Sequence, residues 1–231
     1  ISFLMSQSEK SWDENWEAVF NSQAWGKYPA LGVIKFVASN FYKKNRAEVK
    51  LLEVGCGTGA NIWYMGREGF ATYGIDGSKT AIELAQKRME EELGQESNTH
   101  LVVGDIVHLP YESEFFDAVI DVECLYANNL HNSKKILAEI YRVLKPGGML
   151  YSLTFSDEMS IGKTQTKIAP NEYKDISDGP LAEKGFVRLI DKNGIGELYG
   201  DKFALVSIDK FEHTINNQAD TISEWSIVCK K

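Results

Sequence analysis

The sequence predicts an α/β fold with a doubly wound, largely parallel sheet, and three observations carry that expectation. From Lys50 onward, short apolar runs alternate with helical segments of about ten to fifteen residues, the pattern of repeated βαβ units. A glycine-rich stretch, Glu53 to Asn61, falls where the first run turns into a helix. Two final apolar runs, Phe203 to Phe211 and Ile222 to Cys229, are joined by a linker too short for a crossover helix, so they pair antiparallel.

Two helices are expected ahead of the sheet. Ser11-Trp12-Asp13-Glu14 has capping-box spacing, and Trp12, Trp16, Val19 and Phe20 then share one face. After a turn at Trp25 to Pro29, Leu31, Ile34, Val37 and Phe41 form a second stripe that ends at the basic Lys43, Lys44 and Arg46. Strands are expected at Lys50 to Val54, Ala71 to Ile75, Leu101 to Val103, Ala118 to Asp121 and Met149 to Phe155. Helices are expected between them at Asn61 to Glu68, Ser78 to Leu93 and Ser133 to Leu144. Ser78 is the expected cap of the second, and Pro146-Gly147-Gly148 stops the third. Ser156 to Gly179 is polar and without period, which predicts a lid or a loosely ordered loop. A short helix around Asp191 to Tyr199 leads into the final pair. Residues 1–46 are read as a helical cap over the active site, and residues 47–231 as one ligand-binding unit.

Composition narrows the function. Asp and Glu number 33 against 25 Lys and Arg, a net charge of −8, the opposite of the balance a polyphosphate backbone selects. Nucleic acid is therefore not an expected partner. Cys56, Cys124 and Cys229 form no CxxC pair, which argues against a disulfide framework and a structural zinc site. His100, His108, His131 and His213 are scattered, so no metal is expected. No stretch approaches the roughly 20 apolar residues of a bilayer span, and Ile1 to Met5 lacks the basic start and long apolar run of a signal peptide. The expectation is a cytoplasmic protein, monomer or homodimer, whose first residues are a frayed end.

In the glycine loop, Glu53-Val54-Gly55-Cys56-Gly57-Thr58-Gly59-Ala60-Asn61, glycines permit close approach of a ligand and the helix start offers free N–H groups. On its own the loop fits two adenosine cofactors, because Gly55, Gly57 and Ala60 also satisfy G-x-G-x-x-G/A, and it fits a tight structural turn as well. Asp76, at the end of the second strand, suits a ribose diol in either cofactor class.

Further segments follow in order: Gly74-Ile75-Asp76-Gly77-Ser78, Gly104-Asp105-Ile106, Leu109-Pro110, Phe116-Asp117-Ala118-Val119 and Leu144-Lys145-Pro146-Gly147-Gly148. Together with Leu51 to Gly59, this series closely resembles the class I S-adenosylmethionine-dependent methyltransferases, and among them the small-molecule group. The resemblance covers Lys50 to Phe155 well and the terminal pair more loosely. It implies a Rossmann-like sheet of seven strands with an antiparallel last strand, and S-adenosylmethionine as cofactor with S-adenosylhomocysteine as product. It further implies that Glu53, Gly55, Gly57, Thr58, Gly59 and Asn61 lie along the methionine part, with Glu53 ordering the loop. Asp76, with Gly77 and Ser78, would hold the ribose; Asp105 and Ile106 would bracket the adenine; Asp121 and Val122 would lie near the amino group. The Asn/Asp-Pro-Pro-Tyr tetrapeptide of many nucleic-acid amino-methylating enzymes of this fold is replaced by Asp121-Val122-Glu123-Cys124.

Methyl transfer from a sulfonium is an in-line displacement, so the protein must chiefly align the reactants and exclude water, with a base where the acceptor carries a proton. Candidates after the fourth strand are His131, Glu123 and Tyr126, while Cys124 reads as a packing residue. Trp25 and Tyr28 are candidates for the acceptor pocket, by stacking or cation–π contact. The expected activity is methyl transfer to oxygen or nitrogen of a small molecule. Its rivals are a nicotinamide-dependent oxidoreductase and a non-catalytic S-adenosylmethionine-binding protein.

Overall fold

The structure is a computed structural model that describes residues 10–22, 24–95 and 97–231. The expectations for Ile1 to Met5 lie outside the described residues. Seven strands form one sheet in the order β3-β2-β1-β4-β5-β10-β9: β1 (Lys50–Val54), β2 (Ala71–Asp76), β3 (Thr99–Val103), β4 (Phe116–Val122), β5 (Leu144–Phe155), β9 (Ala204–Ile215) and β10 (Asp220–Lys230). The first five run parallel to one another, and β10 is antiparallel to both neighbours, which is the mostly parallel, seven-stranded Rossmann-like sheet.

Burial explains the pattern. Leu51, Leu52, Val54, Val119 and Ile120 are fully buried because helices cover both faces of the central strands. On one face α2 (Leu31–Phe41), α3 (Ala60–Arg67) and α4 (Lys79–Leu93) bring Val33, Val37, Ile62, Met65, Ile82 and Met89 onto the sheet. On the other, α5 (Leu130–Val143) and α6 (Lys192–Tyr199) bring Ile136, Leu137, Ile140, Ile195 and Tyr199. Ser78 caps α4 by accepting from the Ala81 N–H at 3.0 Å, and Asp191 caps α6 by accepting from the Gly194 N–H at 2.7 Å.

Three local expectations are corrected. The first helix, α1, spans Asn15–Ser22, and Asp13 rather than Ser11 turns the chain into it, accepting from the Asn15 N–H at 2.9 Å. Ser11 is spent elsewhere, on Asp105. The third sheet helix starts at Leu130, because Asn129 accepts from the Asn132 N–H at 2.9 Å, so His131 belongs to a helix and not to a loop. The polar stretch after Phe155 is not a loose loop. β6 (Thr166–Ala169), β7 (Glu172–Lys174) and β8 (Val187–Arg188) form a small antiparallel sheet. Its loops bury Met159, Ile176, Leu181 and Leu189 against Tyr126 and Phe155. Sequence periodicity missed it because each strand is only two to four residues long.

No helix of the described residues is long and apolar enough to cross a membrane.

Candidate active site

The carboxyl ends of β1, β2 and β4 open into one cavity of about 370 Å³, a size typical of small-molecule and cofactor sites. Its floor is the glycine loop between β1 and α3. Gly55, Gly57 and Gly59 have φ of 66°, 49° and 79°, a region costly for other residues, so glycine is required there. A Cβ on Gly55 would run into the Cys124 sulfur, so the small thiol lets the loop pass. Burial keeps that thiol protonated, which fits a packing role.

Glu53 stands under the loop. One oxygen accepts from Asn61 Nδ2 at 2.6 Å, and Asn61 in turn accepts from the Ala30 N–H at 2.9 Å, tying the start of α2 to the loop. The other, Oε2, is buried with no hydrogen-bond partner among the described residues. Desolvation raises the Glu53 pKa to about 8. Asp76 accepts from the Gly57 and Ser78 N–H groups, both at 2.8 Å, and burial raises its pKa despite those bonds.

The cavity brings together Glu53, Gly55, Gly57, Thr58, Asn61, Asp76, Gly77, Ile106 and Val122 of the cofactor set, Glu123 and Tyr126 of the base candidates, and both Trp25 and Tyr28. Four expected residues act from behind the wall. Gly59 starts α3, and Ser78 caps α4. Asp105 accepts from the Ser11 N–H at 3.0 Å and from the Ser11 hydroxyl. Asp121 is fully buried and accepts from the Cys124 and Leu125 N–H groups, each at 3.1 Å, and from Ser152 Oγ at 2.5 Å, so it braces the loop after β4. His131 is exposed on the first turn of α5 and is not part of the cavity wall.

Glu123 faces the cavity from the end of β4, with φ of 52° and its N–H donated to the Leu153 carbonyl at 2.9 Å. A non-glycine residue in that region stores strain, as functional positions often do. Desolvation within the cavity, and then the Glu224 carboxyl facing it from β10, hold Glu123 above the usual carboxylate range although its side chain stays open to the cavity. Tyr126 is buried, its ring 4.7 Å from that of Phe155, and burial keeps the phenol protonated.

Several residues around the expected Trp25 were not among the sequence candidates for the site. Trp16, Phe20 and Trp25 pack at centroid separations of 5.3–6.0 Å, and the Lys184 ammonium lies 5.7 Å over Trp16 and 5.2 Å over Trp25. Lys184, Pro180 and Leu181 come from the insertion after β5. Arg188, the buried last residue of β8, donates to the Asn128 carbonyl at 3.0 Å and to Ser133 Oγ at 2.8 Å, fixing the loop that carries Tyr126. Only the spatial return of β8 onto this loop reveals it.

Comparison with known proteins decides the family. Residues 52–152 match the family model described as a methyltransferase domain. Residues 52–152 thus carry the core of a class I S-adenosylmethionine-dependent methyltransferase. The phthiotriol/phenolphthiotriol dimycocerosates methyltransferase of Mycobacterium leprae is 32% identical over 145 residues, 60% of this chain and 51% of that protein. The chain spans about half the length of the curated relatives it matches. A structure reported with the conversion of a disulfide bond into a thioacetal group during echinomycin biosynthesis superposes with a TM-score of 0.71 at 20% identity, covering 94% of this chain and 91% of that one. The 1,6-didemethyltoxoflavin-N1-methyltransferase of Burkholderia thailandensis, solved with its substrate and S-adenosylhomocysteine, gives a TM-score of 0.63 at 15% identity, covering 94% and 83%. Both likenesses concern the fold.

The cofactor of this methyltransferase family is S-adenosylmethionine, and the residues present fit it. Glu53 lines the cavity and keeps one oxygen without a partner among the described residues, free to accept from an ammonium, Asp76 keeps lone pairs for a diol, and glycines line the close approach. Among the described residues, no group of three or more His, Cys, Asp or Glu could hold a metal ion.

Proposed function

We propose that this chain transfers a methyl group from S-adenosylmethionine to an oxygen or nitrogen of a small molecule, releasing S-adenosylhomocysteine. The observation that carries the reading is the continuity of one cavity, from Asp76 and Ile106 at one end to Glu123, Tyr126 and the Trp16/Trp25 pair at the other. Its volume lies at the small end of the range for ligand sites, which favours a compact acceptor approached through the aromatic end. Within residues 1–46, the stretch from Ser11 to Ala30 acts as the cap over the site, and residues 47–231 act as the catalytic unit. The net charge of −8 keeps the reading with small molecules rather than nucleic acid, and the cytoplasm is the setting proposed with it.

When bound, S-adenosylmethionine supplies an electrophilic methyl carbon on a sulfonium. Glu53 and Asp76 would hold its amino and ribose groups. Trp16, Phe20 and Trp25 exclude water beside the reacting centre, with the Lys184 ammonium over the two indoles. Tyr126, protonated and held by Phe155, orients the acceptor. Glu123 would take the proton from the acceptor oxygen or nitrogen. A carboxylate raised toward neutrality suits that task better than an ordinary one.

Nothing in the cavity favours the nicotinamide reading. Tyr28, 86% exposed, does not block an acceptor channel, which also disfavours a purely non-catalytic role. The test is to incubate the protein with methyl-labelled S-adenosylmethionine and a panel of small phenols, carboxylates and amines. Acceptor-dependent S-adenosylhomocysteine formation supports the proposal; cofactor binding without turnover on any acceptor class counts against it.

A further inference from the structure

Gly77 directly follows Asp76 at the carboxyl end of β2, and its φ is not in the left-handed region, so the backbone does not demand glycine there. What excludes a side chain is Trp12. A Cβ built on Gly77 would fall inside the Trp12 indole, touching Cδ1, Cγ and Nε1. Trp12 and Gly77 both line the cavity, with Gly104 and Ile106 at the same end. Trp12 Nε1 is buried with no hydrogen-bond partner among the described residues, an uncommon state for an indole donor.

The segment that delivers Trp12 is latched on both sides. Before it, the Ser11 N–H and hydroxyl donate to Asp105, and Asn132 Nδ2 donates to the Lys10 carbonyl at 3.2 Å. After it, Glu17 accepts from Ser78 Oγ and Thr80 Oγ1, each at 2.5 Å, bonds that hold its carboxyl below the usual range. All of these anchors border the adenosine end. The cavity keeps its volume with the indole as a wall, so Trp12 does not fill it.

We propose that Trp12 supplies the side wall that Gly77 lacks, stacking on the purine of the adenosyl cofactor opposite Ile106. This rests on the cofactor reading above. It makes the N-terminal segment part of the cofactor site: the pocket is complete only when the segment is latched through Ser11 and Glu17.

The experiment is isothermal titration of S-adenosylhomocysteine into the full chain and into Trp12→Ala, Trp12→Phe, Gly77→Leu and Trp12→Ala/Gly77→Leu, with thermal melts to confirm folding. Base–aromatic stacking predicts a loss of roughly ten-fold or more in affinity for Trp12→Ala, and a smaller loss for Trp12→Phe. Gly77→Leu alone weakens binding by displacing the indole, and the double variant recovers affinity relative to Trp12→Ala because leucine refills the wall. Unchanged or tighter binding by a folded Trp12→Ala, the latter marking the indole as a plug, overturns this proposal while leaving the cofactor reading intact. No binding by the unaltered chain overturns both.

Discussion

Glu53→Gln should stabilise the empty protein and impair its cofactor site, two effects of opposite sign from one atom. Buried Glu53 has its pKa raised from 4.5 to about 8, chiefly by desolvation. At roughly 1.4 kcal/mol per pH unit, that difference corresponds to about 5 kcal/mol, a ceiling because relaxation and water entry reduce the cost of a buried charge. The sign follows from proton counting. Between pH 4.5 and 8 the folded state holds a proton that the unfolded state releases, so this residue's contribution is most favourable below 4.5 and declines until about pH 8. Glutamine keeps the bond to Asn61 and removes the ionisation. The gain of the variant should therefore grow with pH and reach about 1–3 kcal/mol near pH 8, a rise in Tm of several degrees for a chain of this size. In the same variant the missing charge opposite the cofactor ammonium should weaken S-adenosylhomocysteine binding roughly 10- to 100-fold. Thermal melts at pH 6, 7 and 8 and isothermal titration measure the two effects. A variant that melts below the parent at pH 8, or that binds the ligand as tightly, would refute the role given to the unpartnered oxygen.

Three further outcomes follow from the site. Glu123→Gln should lower kcat on a proton-bearing acceptor by about 10²–10⁴ with cofactor affinity nearly unchanged, and the parent kcat/KM should rise with pH as Glu123 ionises; a flat pH profile would count against the base. His131→Ala should leave turnover within about two-fold of the parent, since surface substitutions away from a site have little effect; a large loss would reopen its candidacy. Arg188→Ala strips the Asn128 carbonyl and Ser133 of their donors and leaves a void, so it should cost about 2–4 kcal/mol of stability, read by denaturant unfolding; an unchanged midpoint would contradict the bracing role.

The core of the sheet was legible because its determinants are local. Leu51, Leu52 and Val54 read as a buried strand from their run alone, and the glycines at 55, 57 and 59 announce a backbone that only glycine adopts cheaply. The short linker before Asp220 gave the antiparallel pair. What escaped depends on chain segments meeting far apart in sequence. Ser11 has the spacing of a helix cap but finds Asp105, 94 residues away, a better acceptor. Trp12 reads as the start of an amphipathic face and instead fills the space beside Gly77. Glu224 gives no sign from β10 that it presses on Glu123, and the two- to four-residue strands of the insertion are too short to show a period. His131 was misjudged by a boundary of three residues, which moved it from an expected loop onto the outer face of α5.

The measurement that bears most directly on the central claim is isothermal titration of the purified chain with S-adenosylhomocysteine, with NADH titrated in parallel. Binding of S-adenosylhomocysteine in the micromolar range, with no heat from NADH, is the predicted result. A folded protein that ignores S-adenosylhomocysteine, or that binds NADH in its place, would contradict the account.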